Sequence, residues 1–253
     1  MNRQFKRKER KEEMLLGLSQ VIEAVKEGKS INKIFVEQGN GGPLLNELKN
    51  VLKGTHISYQ VVPEAKLKRL TQKPHKGAVA FLSPIPFYEL EEVVPTLFEA
   101  GKTPLIYILD RVTDVRNFGA IVRSAECHGV DAIVIPSRGA ASINMDALKT
   151  STGALKVIPI CRSFNLKHAI SFLQQSGIEV VGCTEKTDDL LTNHKFENPV
   201  AIIMGSEEDG ISNEYLKMCD AKVKIPMYGE VASLNVAVSA SIVMYEIQRQ
   251  RNA

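Results

Sequence analysis

A chain of 253 residues with 44% hydrophobic and 24% charged side chains can bury a sizeable core, so its composition favours a folded protein over a disordered one. Its four cysteines are 34, 22 and 36 residues apart, which argues against a zinc site or a disulfide framework and favours reduced thiols. The net charge is +3, the charged start lacks an apolar secretory segment, and no apolar run could span a bilayer; these features favour a cytoplasmic protein.

The positive charge is concentrated in the first hundred residues, which carry 16 Lys and Arg against 12 Asp and Glu. Six of these cations lie in residues 2–11, so we interpret residues 1–13 as a basic tail. A second group, the basic cluster, consists of Lys66, Lys68, Arg69, Lys73, His75 and Lys76. Such groups are typical of a polyanion partner, although a solvated tail and a solvated loop would give the same pattern.

After the tail, hydrophobic periodicity predicts a small α/β domain over residues 14–84. We expect helices over residues 13–27 and 44–52, and strands over residues 33–36, 57–62 and 78–82. Pro84 and Pro86 then discourage regular structure and mark a linker.

Residues 85–253 predict a larger α/β domain in which strands and helices alternate. We expect strands over residues 105–109, 132–136, 157–161, 179–183, 200–204 and 223–225, and helices over residues 117–128, 145–150, 165–176, 213–218 and 234–249. This alternation predicts a mostly parallel sheet covered on both faces. Open sheets of this kind bind ligands beyond the carboxyl ends of their strands, and three polar motifs follow strand ends here.

The first motif, LDRVTDVRNFGAIVRSA, covers residues 109–125 and joins a polar loop to a helix. Asn117 lies near the start of the helix, and we expect it in the loop itself. Arg123 falls in a segment that otherwise looks buried, where an unpaired charge is costly. A purely structural alternative makes Asn117 the helix cap and pairs Arg123 with a core carboxylate.

The second motif, IIMGSEEDGIS, covers residues 202–212 and follows a strand with a glycine turn and three acids. Its glycine spacing suggests a P-loop, but Ile-Ser stands where Lys-Ser/Thr is required, and three acids repel phosphate. No G-x-G-x-x-G follows a predicted strand, which argues against a dinucleotide site. Gly205 allows a ligand to approach the backbone. A solvated acidic turn is the alternative, and it suits Glu208 and Asp209 better than Glu207.

The third motif, IPMYGEVASLNVAVSASIVMYE, covers residues 225–246 and places Ser233 and Asn235 at the start of a long apolar helix. Both are favoured N-cap residues, but one cap is enough, so chemistry better explains the other. The apolar side chains of this helix spread over a wide arc, which predicts a helix covered on several sides. Either a second copy of the chain or a fully interior position would explain that arc.

Together and in this order, the three motifs resemble the signature motifs of the SpoU (TrmH-type) RNA 2′-O-methyltransferases. The resemblance implies an α/β fold of the SPOUT type for residues 85–253, with a mostly parallel sheet and a deep C-terminal trefoil knot. Residues 14–84, through VIEAVKEGKSINKIFV and KPHKGAVAFL, resemble the small L30e-like α/β domain that binds the RNA substrate in many members.

The resemblance also implies site residues and a cofactor, S-adenosyl-L-methionine, and no metal. Positions that match the family's cofactor contacts are Gly205, Ile225 and Leu234, to which we add the neighbouring Met204 and Met227. Positions that match its catalytic set are Asn117, Arg123, Glu207, Ser233 and Asn235.

The implied reaction moves a methyl group from a sulfonium to a ribose 2′-hydroxyl. Because the leaving group is good, the enzyme must mainly align the reactants and activate the hydroxyl. The family account often makes the arginine that matches Arg123 the general base. A guanidinium pKa above about 12 makes a role in binding the target phosphate and polarising the hydroxyl at least as reasonable.

Two positions depart from the family motifs, because Val115 stands where proline is usual and Glu208 where a second glycine is usual. These departures bear on loop geometry and target choice. The implied partners are RNA and a second copy of the chain, in a homodimer built on the knotted domain, without a membrane. A guanosine of large-subunit (23S) ribosomal RNA is the favoured target, and a tRNA ribose is the alternative. A non-catalytic RNA-binding or ribosome-assembly protein is the alternative of a different class.

Overall fold

The computed structural model describes residues 13–231 and 233–252, so residues 1–12 of the predicted basic tail lie outside the described residues. The chain forms two compact units, one ending at Pro84 and the other beginning at Ile85. We call them the N-terminal unit and the C-terminal unit. In the described part of the chain, no helix is both long and apolar enough to cross a membrane.

The N-terminal unit contains four strands and three helices in its described residues. They are β1 (Met14–Leu16), α1 (Leu18–Lys26), β2 (Ile31–Glu37), α2 (Pro43–Val51), β3 (Tyr59–Val62), α3 (Glu64–Leu70) and β4 (Ala78–Leu82). The strands form one sheet in the order β1-β4-β2-β3. β2 and β3 are parallel, whereas β4 is antiparallel to β1 and to β2.

Different helices cover the two faces of this sheet, because successive strand residues point to opposite sides. Ile34 and Val36 of β2 belong to the core formed with α1 and α2. Phe35, which lies between them, packs on the other side with Leu67 of α3.

The start of the N-terminal unit differs from the prediction. Residues Met14–Leu16, expected in the first helix, form β1 and pair antiparallel with β4. Gly17, at φ 92°, follows the strand and precedes α1 in a conformation that favours glycine. A three-residue apolar run fits a strand or a helical turn equally well, so periodicity could not separate them. The short helix α3 was not predicted.

The C-terminal unit contains six strands and six α-helices in its described residues. They are α4 (Leu90–Glu99), β5 (Leu105–Leu109), α5 (Val115–Cys127), β6 (Ala132–Pro136), α6 (Met145–Thr150), β7 (Ile160–Ser163), α7 (Leu166–Gln175), β8 (Glu179–Cys183), β9 (Val200–Met204), α8 (Asn213–Leu216), β10 (Ala221–Val223) and α9 (Val236–Arg251). The sheet order is β10-β8-β9-β5-β6-β7, and every neighbouring pair is parallel. The predicted parallel α/β arrangement is confirmed.

Helices cover both faces of this sheet, as its continuously apolar strands predict. Leu105 and Tyr107 of β5 belong to the core that includes α5, α6 and α9. Ile106 and Ile108 belong to the core that includes α4, α7 and α8.

Besides differences of one or two residues at helix ends, three elements of the C-terminal unit differ from the prediction. Helix α4 was missed, and it contains Pro95 at an interior position, where proline normally argues against a helix. Strand β7 lies three residues later than predicted at its start, and β10 ends at Val223, where the predicted strand begins. These shifts affect short edge strands, whose ends depend on what they pair with.

Candidate active site

Three loops that carry the polar motifs leave the carboxyl ends of β5, β9 and β10. β5 and β9 are neighbours in the sheet, and their last residues, Leu109 and Met204, are paired. The loops lead into α5, α8 and α9 respectively. The sheet therefore brings the three motifs to one edge, where ligands of open α/β sheets bind.

Hydrogen bonds join the side chains of Asn117, Glu207 and Asn235, which we call the Asn–Glu–Asn cluster. Oε1 of Glu207 accepts from Nδ2 of Asn117 at 2.8 Å and from Nδ2 of Asn235 at 2.5 Å. Nδ2 of Asn235 also donates to Oδ1 of Asn117 at 3.1 Å. One residue comes from each motif, so the cluster connects all three. Glu207 and Asn235 are exposed, so a substrate can reach the cluster.

Helix caps place the two asparagines. Asp114 caps α5 by accepting from the amide nitrogens of Arg116 and Asn117 at 2.8 and 2.9 Å. Asn117 therefore lies in the first turn of the helix and is neither the cap nor part of the loop, which corrects both expectations. Asn235 caps α9, because its Oδ1 accepts from the amide nitrogen of Ala237 at 2.9 Å. Its Nδ2 remains for the cluster, so one residue serves both purposes.

Gly205 is required by the motif loop itself. A Cβ atom at this position would overlap the carbonyl carbon of Gly210 and the amide nitrogen of Ile211. Backbone of the same loop fills the space that a Cβ would occupy, so the turn requires glycine here whether or not a ligand binds. Its backbone also borders a cleft between the loops that follow β8, β9 and β10.

A cleft of about 410 Å³ opens between the loops that follow β8, β9 and β10, and we call it the cofactor cleft after the expected cofactor positions among its lining residues. Its lining includes all five positions that match the family's cofactor contacts or adjoin them: Met204, Gly205, Ile225, Met227 and Leu234. Ser233 and Glu207 line it as well, so the Asn–Glu–Asn cluster borders the cleft through Glu207. A second cleft of about 310 Å³ lies beside it, lined by Asn117, Thr113 and, again, Glu207.

Arg123 does not join the cluster. It is exposed on α5, so the expected burial is wrong. The six residues that separate it from Asn117 turn the helix by about 600° and advance it by about 9 Å, away from Glu207. Its spacing of seven from Arg116 and three from Ala120 instead places it on the face of α5 that carries those two residues.

That face of α5 and one side of α9 enclose a groove of about 720 Å³, the α5–α9 groove. Val238, Ile242 and Tyr245 of α9 line it at spacings of four and three residues, and they are 47%, 36% and 62% exposed. The opposite side of α9 is buried through residues such as Ala240 and Val243. A fully interior helix is therefore excluded as the explanation of its apolar arc.

Asp110, Arg111 and Ser212 belong to the same edge and were not predicted as site residues. Asp110 is 2% exposed and accepts from the amide nitrogen and Oγ of Ser212 at 2.8 and 2.7 Å. The available signal was an aspartate directly after a buried strand, because a buried carboxylate needs hydrogen-bond partners.

Two family models match the sequence. The model of the SpoU rRNA Methylase family matches residues 104–245, which is more than half of the chain and includes the first two motifs and all but the last residue of the third. The chain belongs to the SpoU rRNA methylase family. A second model, RNA 2′-O ribose methyltransferase substrate binding, matches residues 14–88.

Similar proteins agree with this assignment to the SpoU family. A Staphylococcus haemolyticus protein assigned to the TrmH family of tRNA/rRNA methyltransferases is 33% identical over 239 residues, 94% of this chain and 96% of its own. The SpoU methyltransferase AviRb of Streptomyces viridochromogenes, solved with AdoMet, matches with a TM-score of 0.61 at 24% identity, covering 95% and 91% of the two chains. The A. aeolicus TrmH/SpoU tRNA modifying enzyme matches with a TM-score of 0.54 at 29% identity, covering 64% and 84%. The chain is thus an RNA methyltransferase of the SpoU family, which uses S-adenosylmethionine.

Proposed function

We propose that this SpoU-family enzyme transfers a methyl group from S-adenosylmethionine to a ribose 2′-hydroxyl of ribosomal RNA, with a guanosine of 23S rRNA as the target. The observation that carries the proposal is the Asn–Glu–Asn cluster at the border of the cofactor cleft. The match of residues 14–88 to a substrate-binding family of RNA 2′-O ribose methyltransferases supports ribose as the acceptor. An RNA substrate also agrees with the cytoplasmic location expected from the sequence.

The chemistry of the cofactor cleft suits the proposed donor. Met204, Ile225 and Leu234 offer apolar surface for a purine ring, and the carboxylates of Glu185 and Glu207 offer negative charge for a cationic group. When bound, S-adenosylmethionine supplies an electrophilic methyl group on a sulfonium sulfur.

The chain's own contribution is to hold the ribose. Glu207 fixes the side-chain amides of Asn117 and Asn235, so these groups need little further ordering when they bind hydroxyl or phosphate oxygens. Ser233 lines the cofactor cleft and provides a further hydroxyl. We therefore assign these four residues to alignment of the target ribose, at the junction of the two clefts.

Arg123 is assigned to the active site of a second copy of the chain. Within one chain it is exposed on α5, about two turns beyond Asn117, on the helix face that carries Arg116 and Ala120 of the groove. A homodimer that covers the groove would bury Val238, Ile242 and Tyr245 and bring Arg123 to the other copy. There the guanidinium binds the phosphate of the target nucleotide and polarises its hydroxyl. The deep trefoil knot expected in residues 85–253 would form the base of this dimer.

The N-terminal unit, residues 14–84, is proposed to bind the RNA as an L30e-like domain. Lys66, Arg69 and Lys73 of the basic cluster are exposed. Nζ of Lys66 lies 5.1 Å from the ring centre of Phe35, and Nζ of Lys33 lies 5.3 Å from it, so two cations share this part of the surface. Exposed cations of this kind attract a phosphate backbone.

Alkaline hydrolysis of methylated RNA tests the reaction. The protein is incubated with labelled S-adenosylmethionine and unmodified ribosomal RNA, and the product is hydrolysed in alkali. A 2′-O-methylated ribose blocks cleavage at that nucleotide, so the label should appear in an alkali-resistant dinucleotide. Label in base-modified mononucleotides would refute ribose methylation.

A tRNA ribose is the second candidate target, because the A. aeolicus enzyme that matches 64% of this chain is a tRNA modifying enzyme. The alignment with the Staphylococcus haemolyticus relative covers 94% and includes the N-terminal unit. Competition between ribosomal RNA and tRNA for a limiting amount of enzyme separates the two. We expect preferential labelling of ribosomal RNA. Preferential labelling of tRNA would instead make a tRNA ribose the target.

A further inference from the structure

Arg111 adopts a backbone conformation that residues with a side chain rarely adopt. Its φ is 56°, and the other non-glycine residues at positive φ in the described part of the chain are Lys76 and Thr152. Arg111 follows β5 by two residues, at the start of the first motif loop. When a residue other than glycine occupies this strained backbone conformation, contacts made by its side chain are a candidate reason for keeping it.

The guanidinium of Arg111 joins the first motif loop to the second through four hydrogen bonds. Nε and Nη2 donate to the two carboxylate oxygens of Asp110 at 3.1 and 3.2 Å. Nη1 donates to Oδ2 of Asp209 at 3.0 Å, and Nη2 also donates to the carbonyl oxygen of Gly210 at 3.1 Å. This set uses the planar fork of arginine, which lysine cannot reproduce.

Asp110 gives this connection a rigid base. Its carboxylate is buried, and Oδ2 also accepts from the amide nitrogen and Oγ of Ser212. The amide nitrogen of Asp110 donates to the carbonyl oxygen of Met204 at 2.8 Å. The anchor of Arg111 is therefore fixed to both ends of the loop that contains Glu207.

Glu207 lies in a tight turn that Arg111 holds at one end. The turn is closed by two backbone hydrogen bonds between Ser206 and Gly210, at 3.1 and 3.0 Å. Since the carbonyl of Gly210 also accepts from Arg111, the turn cannot rotate without losing that bond. The orientation of this turn determines whether the Glu207 side chain reaches Asn117 and Asn235.

We propose that Arg111 is a positioning residue for methyl transfer, because it fixes the turn that aims Glu207 at Asn117 and Asn235. This inference rests on the proposed function. Arg111 lines the second cleft beside Asn117 and Glu207, but it does not line the cofactor cleft. Loss of Arg111 should therefore lower kcat and leave cofactor affinity nearly unchanged.

The variant Arg111→Gly separates this role from folding. Glycine adopts positive φ without strain, so the substitution removes the side chain while suiting the backbone. We expect kcat for methyl transfer to fall on the order of 10- to 100-fold. The Kd for S-adenosylmethionine, measured by calorimetry, should change by less than about 3-fold. Arg111→Lys should recover little of the rate, because it restores the charge without the fork.

Hydrogen exchange of residues 206–212 provides a readout that does not depend on activity. We expect faster amide exchange in this segment in Arg111→Gly than in the wild type. The matched control is Lys102→Ala. Lys102 precedes β5, at the end of the strand opposite to Arg111, and its exposed cation pairs with Asp131. This control should change neither kcat nor exchange in the segment.

The outcomes distinguish this inference from the proposed function. If the wild type methylates RNA and Arg111→Gly matches its kcat, the positioning role is wrong. If the wild type transfers no methyl group, the proposed function fails, and the exchange measurement still decides whether Arg111 holds the turn. Unchanged exchange in residues 206–212 would overturn the inference in either case.

Discussion

At the scale of single residues, one side chain in the site often has two roles. Asn235 caps helix α9 with its side-chain carbonyl oxygen, and its side-chain amide nitrogen donates to Glu207 in the Asn–Glu–Asn cluster. Glu207 accepts from both asparagines through one oxygen, so its orientation depends on both of them. A substitution at such a residue therefore changes stability and catalysis together unless it preserves one of the two roles.

The variant Asn235→Ser separates the two roles of Asn235. Serine remains a good N-cap, so the free energy of unfolding should fall by less than about 0.5 kcal/mol. The amide donor to Glu207 is lost, so kcat should fall on the order of 100-fold. Urea denaturation and transfer of labelled methyl groups measure the two effects.

The control for Asn235→Ser is Asn165→Ser, the same exchange at the N-cap of α7, where Oδ1 accepts from the amide nitrogen of Lys167 at 3.0 Å. Its kcat should equal that of the wild type. Equal losses of activity in both variants would show that the effect of Asn235→Ser comes from the cap alone.

Gly205→Ala should destabilise the fold by at least about 3 kcal/mol, because the added methyl group overlaps backbone atoms of Gly210 and Ile211. The free energy of unfolding from urea titration checks this value. Gly229→Ala is the matched control, since a Cβ there meets no atom within 4 Å. If Gly205→Ala is as stable as this control, the loop adjusts more easily than the packing indicates.

At the scale of elements, the sequence predicted the strands that build the site better than the residues that connect them. β5, β6, β8 and β9 have the predicted bounds, because each is a buried apolar run ended by a polar or glycine turn. Helix α4 and the shift of β10 were missed, because a proline and an edge position leave the local pattern ambiguous. The cluster of Asn117, Glu207 and Asn235 depends on strand order, which periodicity does not determine.

The buried thiol of strand β7 gives the fold a pH dependence. Burial raises the pKa of Cys161 to about 12, from an ordinary value of 9.0. In the unfolded chain this thiol ionises near the ordinary value, so rising pH favours the unfolded state. The stabilisation is complete below pH 9 and is lost as the pH rises toward 12. Between pH 9 and 10, ionisation of this thiol in the unfolded chain should lower the free energy of unfolding by about 1 kcal/mol.

Cys161→Ala tests this pH dependence. The free energy of unfolding of the variant should fall by about 1 kcal/mol less than that of the wild type between pH 9 and 10. Cys127→Ala is the matched control, because Cys127 is exposed at the end of α5. If the free energy of unfolding falls equally with pH in the two variants, Cys161 ionises in the folded state with its ordinary pKa.

At the scale of the whole molecule, the α5–α9 groove is the surface that the proposed homodimer must cover. Ile242→Asp places a carboxylate among Val238 and Tyr245, where burial of an unpaired charge is costly. We expect this variant to sediment as a monomer and to lose methyl transfer on the order of 100-fold. Phe98→Asp, the same kind of change at an exposed apolar residue of α4, should retain both the mass and the rate of the wild type.

Complementation between two inactive variants tests the assignment of Arg123 to the other copy. Arg123→Ala and Glu207→Gln should each abolish methyl transfer when pure, and Arg123→Ala should leave cofactor affinity nearly intact. In a mixed dimer, the Glu207 of one copy meets the Arg123 of the other, so one of its two sites is intact. Equal mixing makes about half of the dimers mixed, which predicts recovery of about a quarter of the wild-type rate. If Arg123 serves its own chain, every site in the mixture lacks one residue and no activity returns. Adding Ile242→Asp to both variants should remove the recovery, because the shared site requires the covered groove.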